Sequence, residues 1–185
     1  MDILIRELRA GDEACGTNID GSFIVDSALV LQLKGHEIGY TVEDRPPWIK
    51  SYDDEQLEED PAVDYSNYIG NPHQIIYLAL ADDRAVGQIV VRRNWNNYAY
   101  VEYIKVDKQY RGYDVGKKLI GQAKRWVKDG GMKGFMLETQ SNNVRACKFY
   151  ESCGFVIGGF DSYLYRGLDK YRDETAIYWY LMLEE

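Results

Sequence analysis

The sequence predicts a mixed α/β fold, with antiparallel strands early in the chain, a β-α-β-α-β stretch after them, and helices on the faces of the sheet. Three observations carry this. Gln74–Ala81 (QIIYLALA) and Ala85–Arg93 (AVGQIVVRR) are apolar runs joined at Asp82-Asp83-Arg84, a hairpin signal. Tyr98–Val106 (YAYVEYIKV) alternates and is rich in aromatic and β-branched residues, which suits a strand. Val115–Lys128 changes period: Val115, Leu119, Ile120, Ala123, Trp126 and Val127 fall on one helical stripe, ended by Gly130-Gly131.

The remaining elements are read in order. Residues 2–8 form a first strand, and Gly11 to Gly21 is a weak helix or loop. Between Phe23 and Val42 the apolar residues suit two strands, Ser22–Leu33 and Glu37–Val42, joined around Lys34-Gly35; helix stays open for the earlier part. Pro46-Pro47 is expected to stop what precedes it. Asp53 to Asp60 carries six acids, a pattern that usually marks a solvated face. Gly134–Thr139 (GFMLET) is a short buried strand, and Ser141 or Asn142 is expected to cap a second helix running to about Ser152. Gly154 turns the chain into Phe155–Ile157, and Ala176–Leu183 closes it with another strand.

At 185 residues the chain is long enough for one domain, 1–185, with a well-buried core. Its 45% hydrophobic and 28% charged residues are ordinary for a globular protein. The N-terminus does not read as a signal peptide, and no apolar run approaches the roughly 20 residues that span a bilayer, so a cytoplasmic location without a membrane partner is expected. Cys15, Cys147 and Cys153 make no even disulfide set, and no CxxC or nearby histidine suggests zinc; no metal is expected. Acids outnumber bases 30 to 22, a net charge of −8. That balance disfavours nucleic acid and suits a cationic ligand, although solubility alone also accounts for it.

Between the third of these strong strands and the helix lies DKQYRGYDVG. Such a strand-to-helix turn aims backbone N–H groups outward at the positive end of the helix dipole. Glycine lets the backbone approach an anion, and Arg111, Lys117 and Lys118 can add charge. Neither GxxxxGK[ST] nor GxGxxG is present. Read alone, the segment is equally an anion site or a plain turn with a surface arginine.

Val106–Gly116 (VDKQYRGYDVG) resembles the [QR]-x-x-G-x-[GA] motif of the GNAT acetyltransferase superfamily, matching at Arg111 and Gly116 and departing at Asp114, where the family usually has glycine. Asn143–Phe155 (NVRACKFYESCGF) resembles the family's N-x-x-A-x-x-[FL]-Y-x-x-x-G-F block. The resemblance implies a mostly antiparallel sheet splayed between two strands, helices on both faces, and acetyl-CoA as co-substrate. The cofactor-binding core would be about 74–183, with 10–70 a variable region on the acceptor side.

By this resemblance Arg111, Gly112, Tyr113, Asp114, Val115, Gly116 and Lys117 hold the pyrophosphate. Ile104, Lys105 and Val106 flank the pantetheine arm, and the N–H of Ile104 or Lys105 polarises the thioester carbonyl. Asn143 bonds the pantetheine, with Ala146 and Phe149 beside it, and Tyr150 protonates the departing thiolate. Ala146, Phe149 and Tyr150 share a helix face, a pattern that also describes plain core. An alkyl ammonium, with a pKa near ~10, must lose a proton before it attacks. Glu138 is the favoured base and Glu102 on the adjoining strand the other candidate; for each, a structural role stays open.

A narrower resemblance covers most of the chain. NWNNYAYVEYIKV, MLETQSNNVRACKFYESCGF and WIKSYDDEQLEED followed by QIIYLALADDRAVGQ look like the streptothricin acetyltransferases. This implies acetylation of the β-lysine arm of a polycationic antibiotic. Asp53–Asp60, with Trp48, Tyr52 and Trp95, would hold that small cationic amine. The competing expectations are acetylation of another amine (polyamine, aminoglycoside or protein) and a non-catalytic acyl-CoA sensor. Dimers are common in the superfamily, so a homodimer is also allowed for.

Overall fold

In the computed structural model, residues 2–12, 15–52 and 64–183 are described. Along them run β1 (Leu4–Glu7), β2 (Phe23–Lys34), β3 (Glu37–Lys50), β4 (Gln74–Ala81), β5 (Arg84–Arg93) and β6 (Ala99–Val106). Then come α1 (Val115–Asp129), β7 (Gly134–Gln140), α2 (Val144–Ser152), β8 (Val156–Asp161) and β9 (Ala176–Met182). The acidic run Asp53–Asp60 lies outside the described residues. The chain divides into two compact units, one of Met1–Phe23, Ser51–Gly134 and Leu183–Glu185, the other of Ile24–Lys50 and Phe135–Met182.

In the first unit the strands lie in the order β1-β4-β5-β6, and each neighbouring pair is antiparallel. The β4–β5 hairpin turns on Asp82 and Asp83, at φ 47° and 63°. Both central residues are thus left-handed, as the tight turn matching strand twist requires, and Asp adopts that conformation more easily than most residues. Along β4, Ile76, Leu78 and Leu80 face one side, where they join Leu8, Ile19, Ala85 and Val90 in a core flanked by Tyr65, Tyr68 and Tyr103. The other side receives α1, whose Val115, Leu119, Ile120, Ala123 and Val127 are all buried. Gly87 on β5 makes that seat: a β-carbon there would stand 2.9 Å from Val115 Cγ1. The helix ends as its glycines dictate, with Gly131 left-handed at φ 65° and Met132 N–H returning to Val127 O at 3.0 Å.

The second unit holds β7, β9 and β8 in that spatial order, with β8 and β9 antiparallel. One face of β7 (Phe135, Leu137, Thr139) is buried. Trp179 Nε1–H donates to Thr139 Oγ1 at 2.9 Å, and Cys147 Sγ of α2 lies 3.4 Å from the same oxygen. Phe155 stacks edge-on to Tyr150 at 5.3 Å. The β2–β3 hairpin belongs here, joined by Leu29 N–H to Ser141 O at 2.8 Å.

Two expectations are corrected. Pro46-Pro47 does not stop β3, which runs on to Lys50. In a two-stranded sheet each strand has an unpaired side, where one of the two adjacent prolines, lacking an N–H, fits without losing a ladder bond. The cap of α2 is Asn143, not Ser141 or Asn142: its side chain accepts from Ala146 N–H at 3.2 Å. No helix among the described residues is long and apolar enough to cross a membrane.

Candidate active site

The turn from β6 to α1 is built by its own backbone. Asp107, buried, accepts from Gln109 N–H at 3.0 Å and pairs with Arg84 at 3.2 Å, fixing the strand end. A short 3-10 turn over Lys108–Tyr110 follows. Gly112 is left-handed at φ 84°, and Asp114 too, at φ 58° and ψ 16°. Lys118 N–H makes an early bond of α1, to Asp114 O at 2.9 Å. The amides of Val115, Gly116 and Lys117 therefore precede the ladder at the positive end of the dipole. The Asp114 side chain makes no cap bond to them. It is 71% exposed and lies 3.7 Å from Lys117 Nζ. The turn survives the Asp-for-Gly departure because the carboxylate faces solvent and a lysine.

Arg111, expected to add charge at the turn, also braces it. Its guanidinium donates to Val106 O at 3.3 Å and to Gly21 O at 2.9 Å. Beside it, Lys108 Nζ reaches Asp20 at 2.6 Å, and Lys108 N–H donates to Asp20 O at 3.0 Å. These contacts brace the turn against residues 20–21. Tyr113 and Lys117 are exposed. Ile104, Lys105 and Val106 stand opposite Ile89, Gln88 and Gly87 of β5. In such a ladder neighbouring residues turn their amides to opposite edges, so one of Ile104 and Lys105 faces away from β5.

The two glutamates differ in surroundings. The β5–β6 register jumps from Val90↔Tyr103 to Val91↔Val101, leaving Glu102 as the extra residue of a bulge. Its carboxylate is engaged by Arg92 Nε at 3.0 Å and by Tyr68 O–H at 2.9 Å. Burial and the Glu102 charge push the Tyr68 phenol up to about 12, so it stays a donor at neutral pH. Among the described residues Glu138 forms no such ion pair. On β7 it alternates with the buried Leu137 and Thr139, and burial pushes its carboxyl above the ordinary range. Tyr165 O–H donates to Glu138 Oε1.

Further along the same face of β7, Gln140 accepts from Lys50 Nζ at 2.7 Å. Lys50 is 1% exposed; it pairs with Glu174 at 3.1 Å and sits 5.1 Å from the Tyr171 ring. Asn142 Nδ2–H donates to Glu174 at 2.8 Å. Sequence reasoning missed Tyr165 and this cluster. Residues 162–175 carry no periodic pattern, and Lys50 and Glu174 are 124 positions apart.

On α2 the buried residues are Cys147 and Tyr150, while Ala146 and Phe149 are half-buried on its flank. Tyr150 lies among Phe149, Phe155 and Trp179, with ring centroids 5.3 to 6.5 Å away. Asn143 Oδ1 serves as the helix cap. Among the described residues no group of three or more His, Cys, Asp or Glu side chains could hold a metal ion.

The chain is similar to known proteins in sequence and in fold. Residues 40–155 match the model of the acetyltransferase (GNAT) family. A streptothricin acetyltransferase of Escherichia coli is 34% identical over 162 residues, 87% of this chain and 86% of that one. Streptothricin acetyltransferase A of Bacillus subtilis is 33% identical over 159 residues, 85% of this chain and 87% of that one. A candidate streptothricin acetyltransferase from Bacillus anthracis, crystallised in complex with acetyl coenzyme A, superposes with a TM-score of 0.88 at 55% identity, covering 100% of each chain. The mixed α/β architecture, mostly antiparallel with two α-helices among the described residues, matches the fold of that structure.

Proposed function

The chain belongs to the acetyltransferase (GNAT) family, as an acetyl-CoA-dependent N-acetyltransferase, and from that premise we propose that it acetylates an amine on the β-lysine arm of streptothricin. One observation carries the choice of acceptor. The likeness to streptothricin acetyltransferases runs through the whole chain, acceptor-side residues 10–70 included, and not only through the motifs that hold acetyl-CoA. On this reading residues 1–185 act as one catalytic domain, with 74–183 the acetyl-CoA core. The enzyme works in the cytoplasm on a small cation and not on nucleic acid, and a homodimer is the first assembly state to test for.

The turn at Gly112–Lys117 suits a pyrophosphate: open amides, a helix N-terminus, and a left-handed glycine with nothing within 4 Å of where its β-carbon would stand. Acetyl-CoA supplies the activated acyl group; the chain orients it and manages protons. The acceptor arrives as an ammonium and gives one proton to Glu138, whose half-buried carboxyl is a stronger base than an exposed one. The free amine attacks the thioester carbonyl, polarised by the outward amide of Ile104 or Lys105. The C–N bond forms, the C–S bond breaks, Tyr150 gives its proton to the CoA thiolate, and the proton that the attacking nitrogen then loses restores the phenol. Glu102, already held by Arg92 and Tyr68, keeps the bulge of β6 in shape.

The test is CoA release by purified protein given acetyl-CoA and streptothricin, spermidine, an aminoglycoside or an N-terminal peptide in turn. Streptothricin should be used far faster than the others and gain the mass of one acetyl group. Faster use of another amine would replace the acceptor, and acetyl-CoA binding without turnover on any would favour a sensor.

A further inference from the structure

The loop of residues 162–175 is tied at both ends to one face of β7. Near its start Tyr165 O–H donates to Glu138 Oε1. At its far end Glu174 is held by buried Lys50, which also holds Gln140, two residues beyond Glu138 and therefore on the same face. Asn142 adds a second bond to Glu174. A loop pinned in this way presents one phenol to one oxygen of a carboxyl that forms no salt bridge among the described residues.

Resting on the reading of Glu138 as the base, we propose that Tyr165 is its positioning residue: the phenol fixes Oε1, leaves Oε2 to take the acceptor's proton, and is itself located by the Lys50–Glu174 pair. The proton passes from the ammonium nitrogen to Oε2, while the Tyr165 O–H keeps its own. A carboxylate on a flexible side chain otherwise samples several rotamers, and only some aim an oxygen at the amine. The donated bond also favours the charged carboxylate and so opposes the upward push of burial. Within this unit Tyr178 of β9 also faces Glu138, and its phenol is raised by its own burial and by the Glu138 charge. Asp161 of β8 acts on Tyr178 in the same sense. Lys50 and Glu174, the next charges along the face, are paired with each other.

Tyr165→Phe keeps the ring and removes only the donor. The expected result is a kcat roughly tenfold lower with the KM for acetyl-CoA unchanged. The acid limb of the kcat/KM profile should move upward by about half a pH unit or more, because the carboxylate loses a donor. In a Glu138→Gln background the same change should add nothing, since the two residues act as one unit. A Tyr165→Phe enzyme with wild-type kcat and acid limb would overturn the proposal, as would a change confined to the acceptor KM, which would mean that the phenol touches substrate. Full activity of Glu138→Gln alone would instead remove the base, and the role of Tyr165 with it. Melting curves for both variants check that each has folded.

Discussion

Asp114 and Glu138 are carboxyls in unlike settings, the first 71% exposed beside Lys117 and the second half-buried on β7. The exposed carboxylate of Asp114 stands at the N-terminus of the helix proposed to receive a pyrophosphate, balanced by Lys117. Asp114→Gly removes the like charge and relaxes a left-handed residue, so acetyl-CoA should bind about two- to fivefold more tightly by calorimetry. Weaker binding would mean that the carboxylate helps hold the turn. Glu138→Gln should lower kcat/KM with streptothricin roughly a hundredfold, measured by CoA release. Its effect on stability has the opposite sign. Burial raises the folded carboxyl above its ordinary 4.5, so the folded state holds a proton that the unfolded state releases. Stability is therefore lost as pH rises from the unfolded value through the folded one. The Gln variant should melt higher than wild type near neutrality, and the gap should close at about pH 4.

Elements explain which parts were legible in the sequence. β4, β5, β6, α1 and β7 were read almost to their ends, because each carries its own period and its own stop. The hairpin aspartates and Gly130-Gly131 are local signals that needed no partner. Other features are set by neighbours. β3 continues through two prolines because its position in a two-stranded sheet tolerates them. The Tyr165 and Lys50 contacts exist only once distant segments have met. Among the candidate site residues, the Gly112–Lys117 turn was legible, whereas the bracing role of Arg111 depends on Gly21, ninety positions earlier. Gly87 tests how tightly α1 is seated. Gly87→Val would drive methyl groups into Val115 and Leu119 and should cost about 1–3 kcal/mol in urea unfolding. Lys50→Met takes from Glu174 the Lys50 counterion in a buried setting, with Asn142 still donating to it. It should lower the melting temperature by several degrees, since a buried charge without its counterion is strongly destabilising.

The whole molecule carries a net charge of −8, and the proposed acceptor is polycationic. Surface attraction of that kind is screened over about 8 Å at physiological salt. Raising salt from about 0.05 to 0.3 M should therefore raise the KM for streptothricin several-fold, while acetyl-CoA, an anion, should show no such rise. Equal responses of the two substrates would show that net charge serves solubility only. The β2–β3 hairpin bears on another whole-molecule property. It leaves Leu33, Val42, Trp48 and Ile49 exposed, the last at 74%. A long, apolar, extended segment is ordinarily an invitation to intermolecular zippering during overexpression. Here one of Pro46 and Pro47 leaves the open edge without an N–H for an incoming chain, and Glu43, Asp44 and Arg45 place charge beside them. The double proline that fails to end the strand is therefore expected to guard against aggregation, and replacing both with threonine should increase the share of the protein recovered in inclusion bodies.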